Sequence, residues 1–304
     1  MEFFKTNTKI PFMRQRKWAA IFSSIIFIAS IISLSIFGLN LGLDFTGGTQ
    51  IEVIFQHPVN TEMIRKNLAV EGFPEAIVQV YNVRDISVRV APHNGTTQEQ
   101  LKAKLLTAMP DGSIGQMSYI GPQVGKALIT DGILAVIVAL IGTMTYIALR
   151  FELRFALSAA VALIHDPMLI LGIFSFFHFE FNLIVLAAVL TVIGYSLNDT
   201  IVVYDRVREN FRKVRKATPT EIMDLSINQT LSRTIMTSGL TLLVVIALLI
   251  FGGPTLRPFA FALTIGIVIG TYSSIYVAGS LAVALGLNRT HLIRAAKKIE
   301  DEMP

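Results

Sequence analysis

A few ionisable residues of this chain stand in or beside stretches that are otherwise apolar. His165-Asp166-Pro167 interrupts one such stretch at its centre and Asn198-Asp199 lies in the second half of another, while Arg233 stands just before a third and Asp131 at the edge of a fourth. An ionised group inside a membrane span costs about 2.5 to 3.5 kcal/mol on insertion scales, so each of these needs a partner or a purpose. Two chemistries fit. One is a buried polar cluster that holds helices together. The other is a proton or ion relay through Asp199, with His165, Asp166 and Asn198 as further candidates. Arg233 can pair with Asp199 if their helices pack against each other. Asp199, Val202, Val203 and Arg206 also share a helix face at i, i+3, i+4 and i+7, which leaves an intrahelical partner open. Asp131 can reach the membrane interface and reads as an edge charge.

Other chemistries fit poorly. Asp166 and Asp199 on successive apolar stretches superficially suit an intramembrane aspartyl protease, whose two carboxylates share a proton. Their flanks are His-Asp and Asn-Asp, where Tyr-Asp and Gly-x-Gly-Asp are expected. Gly194-Tyr195-Ser196 lacks the following glycine and a His partner for serine proteolysis. Gly47-Gly48 and Gly252-Gly253-Pro254 do not match the Gly-x-x-x-x-Gly-Lys-Ser/Thr phosphate loop and instead mark places where the chain must turn. With no cysteine there is no disulfide and no thiol redox chemistry. The chain is expected to be non-enzymatic, with no cofactor and no metal.

The elements that must position these residues are spans. Of the 304 residues 53% are hydrophobic and 15% charged, against about 25% charged in ordinary soluble domains. Six blocks reach the roughly 18 residues, with few or no charges, needed to cross a bilayer. They are Trp18 to Phe37, Leu128 to Leu149, Phe155 to Phe177, Phe181 to Tyr204, Thr234 to Phe251 and Pro258 to Leu285. Helices are required, because the bilayer core offers no water to open backbone groups. The first block follows Lys5, Lys9, Arg14, Arg16 and Lys17 but lacks a cleavage site, so it reads as an uncleaved span. Within the last, Gly266, Gly270 and Gly279 with Ser273, Ser274 and Ser280 offer small surfaces for close helix packing.

The net charge of +5 is distributed by topology and makes no basic face for nucleic acid. The N-terminal tail, the Arg150 to Arg154 turn, the Arg206 to Lys216 loop and the tail with Arg289, Arg294, Lys297 and Lys298 all fall on one side of a six-span plan. Opposite them, the Phe177 to Phe181 connection has no Lys or Arg and the Gly252 to Pro258 connection has only Arg257. The positive-inside rule therefore predicts cytoplasmic termini. The plan is a cytoplasmic tail (1–17), a first span (18–37), an outer domain (38–127), a five-helix region (128–285) with a basic cytoplasmic loop at 205–227, and a cytoplasmic tail (286–304).

The outer domain reads as alternating elements. Ile51, Val53 and Phe55 give a strand with one apolar face. Asn60 offers an N-cap to a helix ending near Gly72. Ala76 to Tyr81 and Ile86 to Val90 form a hairpin around Asn82 to Asp85. Thr96 with Glu99 caps a second helix carrying Leu101, Leu105 and Leu106, ended by Pro110-Asp111-Gly112. Ile114 to Ile120 is a last strand. This βαββαβ order predicts a small α+β ferredoxin-like domain between the first and second transmembrane helices.

In order along nearly the whole chain the motifs resemble the SecF proteins of the SecD/SecF protein-export membrane protein family. Leu43-Asp44-Phe45-Thr46-Gly47-Gly48-Thr49 is similar to that family's entry motif and Gly121-Pro122-Gln123-Val124-Gly125 to its re-entry motif. Phe151-Glu152-Leu153-Arg154-Phe155-Ala156, His165-Asp166, Gly194-Tyr195-Ser196-Leu197-Asn198-Asp199-Thr200, the run Tyr204 to Asn210 and Thr230-Leu231-Ser232-Arg233-Thr234 are similar to its later ones. The resemblance implies membership of the resistance-nodulation-division superfamily and a location in the bacterial inner membrane, with the outer domain in the periplasm. It implies a six-span SecD partner, and export of unfolded polypeptides with the SecYEG channel after ATP-driven translocation by SecA, using the proton motive force. It further implies that Asp199 and Arg233 take part in proton passage together with a carboxylate on SecD. One six-span half matches the separate-subunit form. A small-molecule exporter of the same superfamily would carry two large outer loops where this chain has one, and a structural scaffold would not need Asp199.

Overall fold

The computed structural model describes residues 9–80, 82–91, 98–214 and 216–288. Its elements in chain order are α1 (Arg16–Phe37), β1 (Asn40–Leu41), the single turn α2 (Leu43–Thr46), β2 (Gly48–Phe55), α3 (Thr61–Val70), β3 (Ile77–Val80), β4 (Asp85–Val90), α4 (Gln98–Ala108), β5 (Gly112–Ile120), α5 (Pro122–Arg150), α6 (Leu153–Phe176), β6 (Glu180–Phe181), α7 (Leu183–Lys213), α8 (Pro219–Phe251), α9 (Gly253–Ser273) and α10 (Gly279–Ala284). A 3-10 turn, Phe12–Gln15, leads into α1, and a π turn, Ser274–Ala278, joins α9 to α10. Two compact units result. One takes Met1–Leu39, Val136–Phe179 and Ala187–Pro304, and the other Asn40–Ala135 and Glu180–Leu186.

Six helical stretches among the described residues are long and apolar enough to cross a membrane, the sixth running from α9 through the π turn into α10. The helices outrun the apolar blocks that signal them, because hydropathy marks only the part that needs lipid. The correction is largest at 205–227, read from sequence as a loop. There α7 continues to Lys213 and α8 begins at Pro219. Polar chemistry supports both ends. Glu209 pairs with Arg206 and Lys213 on α7, and Thr218 and Glu221 form a reciprocal capping box with Pro219 at the first turn of α8. Arg215 and the tail with Arg289, Arg294, Lys297 and Lys298 lie outside the described residues, as does Lys5.

Small residues set the spacing between spans. At Gly172 of α6 an added Cβ would collide with Ser30 of α1, and at Gly266 of α9 with Val192 of α7. Ser33 donates to Ser175 across the α1–α6 contact at 3.1 Å. The core is closed by Phe151, Phe155 and Tyr204, with Phe155 and Tyr204 ring centroids 4.4 Å apart. Tyr204 is fully buried and its hydroxyl lies 2.7 Å from that of Ser158.

The other unit is built on an antiparallel sheet of order β3-β4-β2-β5. Ile51 and Val53 of β2 face the core as their alternation requires, opposite Val88 and Ile86 of β4. Leu68 of α3 and Leu105 of α4 join the same cluster. The Asn60 side chain accepts from the Glu62 and Met63 N–H groups and starts α3. The hairpin of β3 and β4 pairs antiparallel, with Tyr81 outside the described residues, and so is the Thr96 cap expected for α4. Sequence reading missed β1 and β6, a two-residue parallel pair, and α2.

Candidate functional site

The His165-Asp166 pair lies in α6 just before Pro167, which removes a backbone donor from the helix ladder. Asp166 is fully buried. One carboxylate oxygen lies 2.9 Å from His165 Nδ1. The other accepts hydroxyls from two different helices, Ser196 of α7 and Ser273 of α9 at 2.7 Å. Ser273 is the last residue of α9 before the π turn. His165 stacks on Phe27 of α1, ring centroids 6.0 Å apart and 9° from parallel, so four spans meet around one carboxylate.

Asp199 sits one turn beyond Ser196 on α7 and is buried, 4% exposed. Its direct contact is the Ser238 hydroxyl of α8 at 3.5 Å. Ser238 also accepts from Tyr195 at 3.2 Å and from Thr271 of α9 at 3.0 Å, so Asp199 ends a second line of hydroxyls beside the first. Arg233 lies within electrostatic reach of Asp199, but it is exposed and is absent from the ion pairs within 4.0 Å among the described residues. Arg206 pairs with Glu209 and not with Asp199. Asn198 and Asp131 are exposed. Asp166 and Asp199 are held by separate hydroxyl groups, which differs from the shared-proton arrangement of two catalytic carboxylates.

The glycine-bearing motifs meet within the sheet-bearing unit, although far apart in sequence. Gly47 and Gly48 have φ of +68° and +117°, where side chains are strained. A Cβ at Gly48 would strike the Val90 carbonyl, and one at Gly47 would lie 3.2 Å from Pro122 Cα. A Cβ at Gly125 would come within 2.9 Å of the Phe45 carbonyl, while Gly121 has more room. Thr46 donates to the Gly42 carbonyl at 3.1 Å. Asp44 accepts the Leu183 N–H at 2.9 Å and Asn182 the Val185 N–H at 3.0 Å, so the first turn of α7 is capped by its neighbour and by the distant motif. Phe45 stacks on Phe181 at 5.9 Å.

Residues 32–59 match the SecD/SecF GG motif, and residues 100–288 match the family described as protein export membrane protein SecD/SecF, C-terminal. The chain belongs to the SecD/SecF family. It is 49% identical to the protein translocase subunit SecF of Vibrio alginolyticus, with 100% of this chain and 99% of that one covered. It is 43% identical to that of Escherichia coli O157:H7, over 96% and 92%. Among solved structures it is similar to the translocon-associated membrane protein SecDF of Thermus thermophilus, at TM-score 0.86 and 36% identity. A SecDF in a super-membrane-facing form gives 0.69 at the same identity. The chain covers 39% of the length of each of these two, and they cover 93% and 92% of it. The family motifs thus mark Asp44, Gly48, Asp166, Asp199 and, within the same run as Asp199, Ser196, but not Ser238 or Ser273. Serine is common in packed spans, and nothing in their spacing separates Ser238 and Ser273 from the rest.

Proposed function

We propose that the chain is the SecF-type subunit of a SecD–SecF pair that uses the proton motive force to assist export of unfolded polypeptides with the SecYEG channel and SecA. The observation that carries this reading is 49% identity to a protein translocase subunit SecF across the whole chain. In this reading the protein lies in the bacterial inner membrane with cytoplasmic termini, supported by the basic residues on one side of the six-span plan. The sheet-bearing unit is a periplasmic ferredoxin-like domain, supported by its βαββαβ order and strand order. The role is non-catalytic.

Asp199 is the proton-bearing group and Arg233 its electrostatic counterpart. An exposed arginine at the edge of an apolar span is unfavourable in lipid, which supports a SecD carboxylate approaching it. Gly142, Gly194 and Gly239, in α5, α7 and α8, have nothing within 4 Å of an added Cβ. Each costs about 1 kcal/mol of helix propensity relative to alanine, a cost that close packing of partner helices offsets. A charge crossing the field exchanges about 2.3 kcal/mol per 100 mV, enough to bias a two-state helix packing through Asp199.

Export into inverted vesicles, with and without a proton gradient, tests the reading. Asp199→Asn is expected to insert, to copurify with SecD and to lose gradient-dependent export, and Arg233→Ala to lose it too. Full gradient dependence in a normally assembled Asp199→Asn protein would make Asp199 interhelical glue and the chain a scaffold.

A further inference from the structure

Beside α1, α6 and the end of the sixth span lies a groove of about 660 Å³ that the proton reading does not use. Its volume is in the range of small-molecule sites. Its walls are apolar, with Ala20 and Phe27 of α1, Val161 and Ile164 of α6, and Val277 and Leu281 after α9. One end carries two cations on the first turn of α1, Arg16 and Lys17. Among the described residues Arg16 has a single long hydrogen bond, Nη1 to the Thr220 hydroxyl at 3.4 Å, and Lys17 is exposed. Ser24, also exposed, lies along α1 between Ala20 and Phe27.

The groove also borders a buried polar group. The imidazole of His165 borders the groove and is 4% exposed. Its Nδ1 is held by Asp166, while its Nε2 is buried without a hydrogen-bond partner among the described residues. An acyl chain offers that nitrogen no hydrogen bond, so it stays with the Asp166 site, and the choice of occupant rests on the apolar wall and the two cations.

The chemistry selects one occupant. An apolar trough excludes a free anion, and two cations at one end disfavour a neutral chain with no acid group. That charged end is also the end of a span, where lipid headgroups lie, and basic pockets between spans bind anionic headgroups. We propose that this groove holds an anionic membrane phospholipid, its phosphate at Arg16 and Lys17 and one acyl chain along Phe27, Val161 and Leu281. The glycerol-ester region then falls near Ala20, about 5 Å along the helix from the two cations. A zwitterionic lipid offers the same phosphate with a cation attached, so Arg16 and Lys17 discriminate between the two.

The test uses the full-length chain purified in mild detergent with its copurified subunits, titrated with phosphatidylglycerol or phosphatidylethanolamine of matched acyl chains and read by native mass spectrometry. Phosphatidylglycerol is expected to bind more tightly. Arg16→Gln and Lys17→Gln should each weaken it about fivefold and weaken phosphatidylethanolamine less. Arg14→Gln removes the same charge from a residue outside the groove lining and should have no effect. Ala20→Phe fills the groove at an exposed position and should displace lipid without altering charge, which keeps the test decisive if Arg16→Gln fails to insert. In native membranes a photo-crosslinking residue at Ala20 should capture phospholipid. Equal binding of the two lipids, an equal loss in Arg14→Gln, or a protein adduct at Ala20 would each overturn the proposal, the last by showing that a partner helix sits there.

Discussion

Arg89 is held at 6% side-chain exposure, with Nη1 donating to the Leu41 carbonyl at 2.6 Å and Nη2 3.3 Å from Glu180. The Nη2 approach is close enough for charge attraction but lacks hydrogen-bond geometry, and Nε has no partner among the described residues. Such a pair recovers little more than its desolvation cost, whereas a lone buried charge recovers none of it. Glu180→Ala is therefore expected to destabilise the protein by about 3 kcal/mol or more, and Arg89→Met combined with Glu180→Leu to regain most of that loss. Thermal unfolding of the purified variants checks this, and a double variant as weak as the single one would show that the pair is not coupled. The residue scale is also where sequence reading stopped earliest. Asp166 stands out in a span because it is charged, but Ser196 and Ser273, 30 and 107 positions away, become its partners only through packing. The expectation of an Asp199–Arg233 pair came from charge alone. It could not weigh a hydroxyl, Ser238, that stands nearer the carboxylate.

At the scale of elements, long periodic segments were legible and short ones were not. Six spans and the βαββαβ order follow from hydropathy and alternation carried over many residues. A two-residue strand such as β1 or β6 has no period to read, and the π turn at Ser274–Ala278 leaves no mark in an apolar run. That turn begins directly after Ser273, the Asp166 ligand, and π turns often accompany functional positions. Close approach between spans is similarly invisible until the partner is known. Gly172 and Gly194 look alike in sequence, yet a Cβ at Gly172 meets Ser30 while one at Gly194 meets nothing. Gly172→Ala is accordingly expected to cost about 1 to 3 kcal/mol, partly restored by Ser30→Gly. Gly194→Ala should stabilise the chain by up to about 1 kcal/mol. Melting temperatures of the three variants decide it, and a neutral Gly172→Ala would mean that α1 is free to move away from α6.

For the whole molecule the chain's lack of cysteine is an experimental opening. A single cysteine at Glu75, in the sheet-bearing unit, and another at Lys213, at the end of α7, sit at exposed positions on a silent background. In intact cells an impermeant thiol reagent should label Glu75→Cys and spare Lys213→Cys, and labelling of both would break the six-span plan. The same scale gives the fit at Gly48 a wider meaning. Every sense codon one nucleotide away from a glycine codon and not itself glycine encodes a side chain with a Cβ. At position 48 any such side chain would meet the Val90 carbonyl of the neighbouring strand, on a backbone already at positive φ. A lineage carrying this fold therefore has no single mutational step available there. Substitutions in β4 leave that main-chain carbonyl in place, so a change of side chain on the neighbouring strand does not open the position.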